Sequence, residues 1–305
     1  MKISDLTYLR ETYGSRLQEN ISLSTCTSAR VGGLADALII TQTSDDLAEI
    51  VKRMWEKEIN FIIIGGGTNL LISDKGVREL VIINRARAVQ FNERSGSPRA
   101  RAESGTTLND LAQKAAILGL SGLEWAATVP GSLGGAVYGN AGAFGGDMAG
   151  NLVSIDIINH QSGRQTWLVD EMEYGYRSSI LKKGHLPVVI LSAELALTKS
   201  TTEVVKQKME LNSAHRRSSQ PSGASMGSIF KNPTGDYAGR LIENTGLKGM
   251  RVGNAEISNL HANFIINHGQ TLASDVKALI DKVRTEVEKK FGVTLELEIE
   301  LLGEW

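Results

Sequence analysis

The stretch FIIIGGGTNLLISDKG, residues 61–76, sets three glycines between two apolar runs. Residues 61–64 are too few for a helix and rich in β-branched side chains, which predicts a short buried strand. Gly65, Gly66 and Gly67 can take positive φ without steric cost. Successive backbone N–H groups in such a turn converge into an anion-binding nest. Thr68 and Asn69 add side-chain donors before the second run, which starts at Leu70. The pattern predicts a phosphate or diphosphate cradle between two strands. A glycine-rich hairpin without a ligand has the same local pattern. Familiar nucleotide loops do not fit. G-x-G-x-x-G is not matched, no helical pattern follows, and no Gly-Lys pair exists to make a Walker A loop.

The other bounds are ordinary. A chain of 305 residues, 41% hydrophobic and 22% charged, is long enough for two or three globular domains. A net charge of −1 argues against a general nucleic-acid or acidic-membrane binder, which needs a basic field. Cys26 is the only cysteine, which excludes an internal disulfide and fits a reducing compartment. No apolar run is long enough to span a membrane, and the N-terminal residues lack a secretory pattern. The expectation is a cytoplasmic protein without membrane insertion. A monomer is favoured, although nothing in the residues decides it.

Periodicity predicts a helix over 4–19 capped by Ser4, a strand over 35–41, and a helix capped by Ser44 with Leu47, Ile50, Val51, Met54 and Trp55 at helical spacing. Strands are expected at 79–84, 99–104, 152–159, 164–169 and 187–197, with one helix over 107–118. Residues 129–146, VPGSLGGAVYGNAGAFGG, carry so many glycines that turns and close backbone approaches are expected instead of a helix. Further on, helices are expected at 202–217 and 236–245, a short strand at 228–230, and strands near 252–257 and 264–267. A helix capped by Ser274 ends at Gly292, and 294–302 reads as an alternating strand. Composition shifts place boundaries near 72 and 199, giving parts 1–72, 73–199 and 200–305.

Three places could carry chemistry. Arg177 lies in a polar turn, where its planar fork suits a carboxylate or a developing oxyanion, or a surface ion pair. Gly227 to Pro233 joins a hydroxyl at Ser228 to Lys231 and Asn232, without the glycine spacing of a hydrolase elbow. Glu296, Glu298 and Glu300 alternate with apolar residues on one face, and periodicity cannot choose among them. His160, His185, His215, His261 and His268 have no ligand spacing, so no metal site is expected. His261-Ala262-Asn263 reads as a hydrogen-bonding corner.

Together these motifs resemble, in order, the UDP-N-acetylenolpyruvoylglucosamine reductase family. The matching residues are Arg30 to Gly33, Gly65 to Leu71, Gly122 to Trp125, Val129 to Ala136, Asn140 to Ala143, Tyr176 to Ser179, Gly227 to Pro233, Ala238 to Glu243, His261 to Phe264, and Glu298-Ile299. The resemblance implies an α+β fold: two subdomains forming a vanillyl-alcohol oxidase-like FAD site, and a C-terminal substrate domain. It implies FAD contacts at Arg30, Gly65, Gly66, Gly67, Thr68, Asn69, Leu70, Pro130, Gly131, Ser132, Gly134, Gly135, Asn140, Ala141 and Gly142. FAD is expected to be non-covalent, since neither glycine-rich stretch contains histidine or cysteine. NADPH is the implied hydride donor and an enolpyruvyl UDP-sugar the substrate. Arg177, Ser228 and Glu298 fall on the catalytic positions, and Tyr176, Lys231 and Asn232 on substrate contacts. Cys26 and Ala29 depart from the commoner hydroxyl and aromatic residues. The loop from Gln220 to Gly227 is about one residue short, and the chain is similar to the branch lacking an extra tyrosine loop. Another FAD oxidoreductase of the same fold, or a nucleotide-binding module without activity, are the rival readings.

Overall fold

The computed structural model describes residues 1–93, 96–184 and 186–305. His185 therefore lies outside the described residues. Helices and strands are mixed throughout, as the α+β expectation has it. Contacts divide the chain into two compact units. The first comprises residues 1–38, 67–81 and 217–305, the second 39–66 and 82–216.

In the first unit, the expected N-terminal helix ends early, at Tyr13. Gly14 takes φ 49° and turns the chain into the strand Gln18–Ser22. That strand pairs antiparallel with Leu34–Thr41, from Gln18↔Leu38 to Ser22↔Leu34. Ser4 is inside the helix and bonds Asp5, so it is no cap. Leu70–Ile72 leaves the glycine turn and pairs in parallel with Glu300–Leu302. Strands Arg251–Val252, Ala255–Ile257 and Ile265–Asn267 form an antiparallel meander. The helices Ala238–Asn244 and Ala273–Phe291 bury Leu241, Val276, Leu279, Ile280 and Val283 in one core with Leu71, Phe230 and Ile257.

The expected strand over 294–302 is shorter than its pattern. Only Glu300–Leu302 is a strand, and residues 228–230 make a single bridge, Phe230↔Leu297, instead of a strand. The left-handed Gly227 (φ 75°) before this segment and Pro233 after it leave too little chain to pair. Alternation persists without the ladder, since Leu295 and Ile299 are buried.

Ser274 does not cap the last helix. The Asp74 carboxylate does, accepting from the N–H groups of Ala273 (2.7 Å) and Ser274 (2.9 Å). Both are first-turn amides that the helix cannot satisfy itself. Asp74→Ala should therefore cost about 1 kcal/mol in urea unfolding, the usual worth of a cap. Ser274→Ala should cost almost nothing. The reverse ranking would return the cap to Ser274.

In the second unit, five antiparallel strands run in the order Gly163–Leu168, Leu152–Asn159, Val188–Ala196, Arg99–Glu103, Val89–Asn92. The edge strand Val89–Asn92 was not expected from the sequence; Val89 and Phe91 alternate onto the core, but over four residues only. Ala100, Ala102, Ile155, Ile157, Ala193 and Leu195 join the core that also contains Leu108, Leu111 and Leu133. The helix Ser44–Glu56 is capped by Thr43, whose hydroxyl accepts from Asp46 at 3.1 Å, and not by Ser44. The Ser44 N–H donates to Glu103 instead.

The glycine-rich stretch 129–146 is not all turns, because Leu133–Gly139 is a helix. Glycine disfavours a helix by roughly 1 kcal/mol per residue. Here the cost is offset by close approach: a Cβ on Gly134 would lie 3.0 Å from the Ser104 Cβ. The Gly134 N–H donates to the Ser104 carbonyl at 2.8 Å.

Candidate functional site

In the second unit the two glycine-rich stretches meet backbone to backbone. A Cβ on Gly66 would lie 2.8 Å from the Gly131 Cα, and one on Gly65 would run into the Ser132 hydroxyl. Ser132 is buried and caps the Leu133–Gly139 helix, accepting from Gly135 at 3.4 Å. The amides of Leu133 and Gly134 donate to Thr106 and Ser104 at 2.8 Å each. The first amides of this helix are thus spent on protein. Gly135 is different. It is exposed, and a Cβ there meets only the Ser132 hydroxyl, at 3.6 Å. A backbone groove stripped of side chains on both banks fits the diphosphate of a dinucleotide cofactor such as FAD.

In the first unit, Gly67 takes φ 61°, and a Cβ there would strike the Cys26 carbonyl. The Ser28 N–H donates to the Gly67 carbonyl at 3.0 Å. Arg30 is exposed with φ 55°. The Asn69 amide donates to the Glu298 carbonyl at 2.9 Å, and the Asn69 carbonyl accepts from Glu300. The end of the glycine turn therefore fixes the backbone of a candidate catalytic carboxylate. Nothing in the local sequence signals this tie across 229 positions.

Arg177 has φ 52° in a turn closed by Gly175 and Ser178. Flanking residues staple that turn to the end of the Leu133–Gly139 helix. The Tyr174 hydroxyl donates to Val137 at 2.9 Å, the Ser179 hydroxyl to Tyr138 at 2.6 Å, and the Asn140 amide to Gly175 at 3.0 Å. Burial pushes the Tyr174 phenol well above its ordinary pKa, so it stays a neutral donor. Asn140 also accepts from Ala149, and the Arg177 guanidinium donates to Gly142 at 3.2 Å. Tyr176 is exposed, its ring centre 5.7 Å from the guanidinium carbon.

Ser228 is placed by its neighbours. Asn263 clamps Phe230 on both sides, accepting from its N–H at 2.9 Å and donating to its carbonyl at 2.8 Å. The Ile229 N–H donates to the Asn263 carbonyl, and the Glu298 N–H to Ile229, both at 2.9 Å. Ser228 and Glu298 thus come to adjacent segments of one unit. His261 accepts from the Asn263 N–H through Nδ1, and burial lowers its pKa, which favours the neutral ring. Glu296 is exposed and paired with Lys231 at 3.1 Å. Glu298 is half-buried, with both its N–H and its carbonyl held. Asn232 accepts from Ala238 and so opens the Ala238–Asn244 helix.

A cavity of about 510 Å³ lies elsewhere in the second unit, against Arg101, Glu103, Asp156, Arg164, Thr166 and Ser192. Its charges are already satisfied. Arg101 pairs with Asp156, Arg164 with Asp45, and Glu103 accepts from two main-chain amides. It offers a ligand no unmet demand. Among the described residues no group of three His, Cys, Asp or Glu could hold a metal ion.

The family profile described as UDP-N-acetylenolpyruvoylglucosamine reductase, C-terminal domain, matches residues 219–302, and one described as FAD binding domain matches 35–168. The chain is 39% identical over 297 residues to the UDP-N-acetylenolpyruvoylglucosamine reductase of Chloroflexus aggregans, covering 96% of this chain and 100% of that one. It is 38% identical over 297 residues to that of Bacillus subtilis, with 97% of each covered. The crystal structure of UDP-N-acetylenolpyruvylglucosamine reductase from Thermus caldophilus superposes with a TM-score of 0.80 at 36% identity, covering 94% of this chain and 99% of that one.

Proposed function

Because the chain belongs to the UDP-N-acetylenolpyruvoylglucosamine reductase family, we propose that it reduces the enolpyruvyl group of UDP-N-acetylglucosamine enolpyruvate to UDP-N-acetylmuramate, with NADPH as hydride donor and non-covalent FAD as relay. The observation that carries the reading is 38–39% identity to named reductases over nearly the whole chain, joined to a glycine groove that fits a diphosphate. Residues 1–199 would hold the cofactor and 200–305 the sugar nucleotide. Cytoplasmic location is in keeping with the lone Cys26, and among the described residues no helix is long and apolar enough to cross a membrane.

Gly65 to Leu70 and Pro130 to Gly135 would hold FAD, which when bound would supply hydride transfer to the terminal carbon of the enol ether, while the protein supplies geometry and electrostatics. Negative charge then builds on the carbon beside the substrate carboxylate. Arg177 stabilises that charge with a fixed cation. Ser228 gives the proton that quenches it, completing net addition of one hydride and one proton across the double bond. A serine is a weak acid, but an enolate-like carbanion is basic enough to take its proton. Glu298, on a clamped backbone, acts with Arg177 around the substrate carboxylate through a shared proton or water. Lys231, Asn232 and Tyr176 hold the sugar nucleotide.

Anaerobic titration tests the reading. NADPH should bleach a yellow protein, and the enolpyruvyl substrate should restore the colour with one product per NADPH. Colour restored only by oxygen would favour an oxidase. Arg177→Lys tests the arginine: it keeps the charge and loses the fork. Turnover should fall while the melting temperature holds, because the turn is stapled by Tyr174, Ser179 and Asn140. Early melting with normal turnover per folded molecule would make Arg177 structural.

A further inference from the structure

We propose that Arg85 is a positioning residue for the cofactor diphosphate, acting through the Gly65–Gly66 peptide. The inference rests on the FAD reading of the glycine groove. The Arg85 guanidinium donates through Nη1 to the Gly65 carbonyl at 2.7 Å. Its own base is rigid. The Arg85 N–H donates to the Thr41 carbonyl at 2.8 Å, and the preceding Asn84 is buried between the Ala86 N–H and the Ser104 hydroxyl. Arg85 itself is half-buried.

A trans peptide points its carbonyl and its N–H in opposite directions. Holding the Gly65 carbonyl toward Arg85 therefore aims the Gly66 N–H to the other side, where Gly66 is exposed. A nest binds an anion only if its N–H groups face inward. Between two glycines this orientation has little steric support, because neither residue has a Cβ to disfavour a flipped peptide. A flip would turn a carbonyl oxygen toward a dianionic diphosphate. The arginine supplies what the glycines lack, a charge-assisted bond that selects one orientation. Gly65 cannot be replaced to gain stiffness, since a Cβ there collides with the Ser132 hydroxyl.

The test is flavin binding to the deflavinated full chain, followed by quenching of flavin fluorescence, with FAD and FMN as probes. FMN has the same ring system but lacks the diphosphate bridge. Arg85→Met should weaken FAD binding about 10–100-fold, the usual worth of a bond to a charged group. FMN binding should change little, so the preference for FAD over FMN collapses. Arg85→Lys should recover part of the loss, since an ammonium can still reach a carbonyl. Equal weakening of FAD and FMN, together with early melting of the flavin-free protein, would make Arg85 merely structural and overturn the proposal. Gly135→Val separates the two layers. If it loses FAD while Arg85→Met binds FAD as the parent does, the groove stands and the role of Arg85 falls. If both variants bind FAD normally, the groove reading itself is wrong. Should Arg85→Met not fold, Arg85→Lys decides: FAD affinity unchanged from the parent overturns the proposal.

Discussion

Ser228→Ala should leave bleaching by NADPH near the parental rate and slow recovery of colour by the enolpyruvyl substrate about 10²–10⁴-fold, the usual loss when a positioned proton donor is removed. The first stage needs only a hydride acceptor, whereas the second needs a proton at carbon. The substitution should not disturb the fold. The segment is held by Asn263 through Ile229 and Phe230, not by Ser228. Ser228→Cys should recover part of the loss, because a thiol also donates. The neighbouring carboxylates give an internal control. Glu298→Gln should slow the same second stage. Glu296→Gln, which breaks only an exposed pair with Lys231, should not, and Glu300→Gln should leave both stages unchanged. Anaerobic stopped-flow absorbance resolves the stages. If Ser228→Ala slows bleaching as much as recovery, Ser228 positions substrate and the proton comes from another group.

Two valines in the glycine groove should both give colourless protein, for different reasons. Gly66→Val drives a side chain into Gly131, whose Cα is already 2.8 Å from where the new Cβ must sit. It should separate the two glycine stretches, lower the melting temperature of the flavin-free chain and abolish flavin binding. Gly135→Val meets only the Ser132 hydroxyl at 3.6 Å, so the protein has room for it. That chain should fold and melt like the parent without flavin, yet bind FAD poorly, because the space it fills is the ligand's. Absorbance at the flavin band and melting of the flavin-free protein separate the two outcomes. Yellow Gly135→Val protein would remove this bank from the cofactor site. Flavin that stays with the chain after acid precipitation would overturn non-covalent binding.

The residues by themselves determined where most elements lie. Apolar spacing fixes a face within one element, and that information is local. The helices Ser44–Glu56, Leu108–Ile117 and Ala273–Phe291 and the strands Phe61–Ile64, Leu152–Asn159 and Val188–Ala196 fall where periodicity placed them. The ordered motifs also carried the family, since many weak signals in one order are jointly specific. Caps and ends were less legible. Ser4, Ser44 and Ser274 are good capping residues, yet none caps, because a cap depends on which oxygen reaches the amides. At the last helix that oxygen belongs to Asp74, about 200 positions earlier in the chain. Tertiary contact alone decided the Leu133–Gly139 helix, where closeness to Ser104 outweighs glycine's reluctance to be helical. The same holds among Glu296, Glu298 and Glu300. Alternation treats them alike, and tertiary contact separates only exposed Glu296, paired with Lys231, from the half-buried Glu298 and Glu300. Side-chain type and local period are properties of neighbouring residues, whereas a hydrogen-bond partner is a property of folded space.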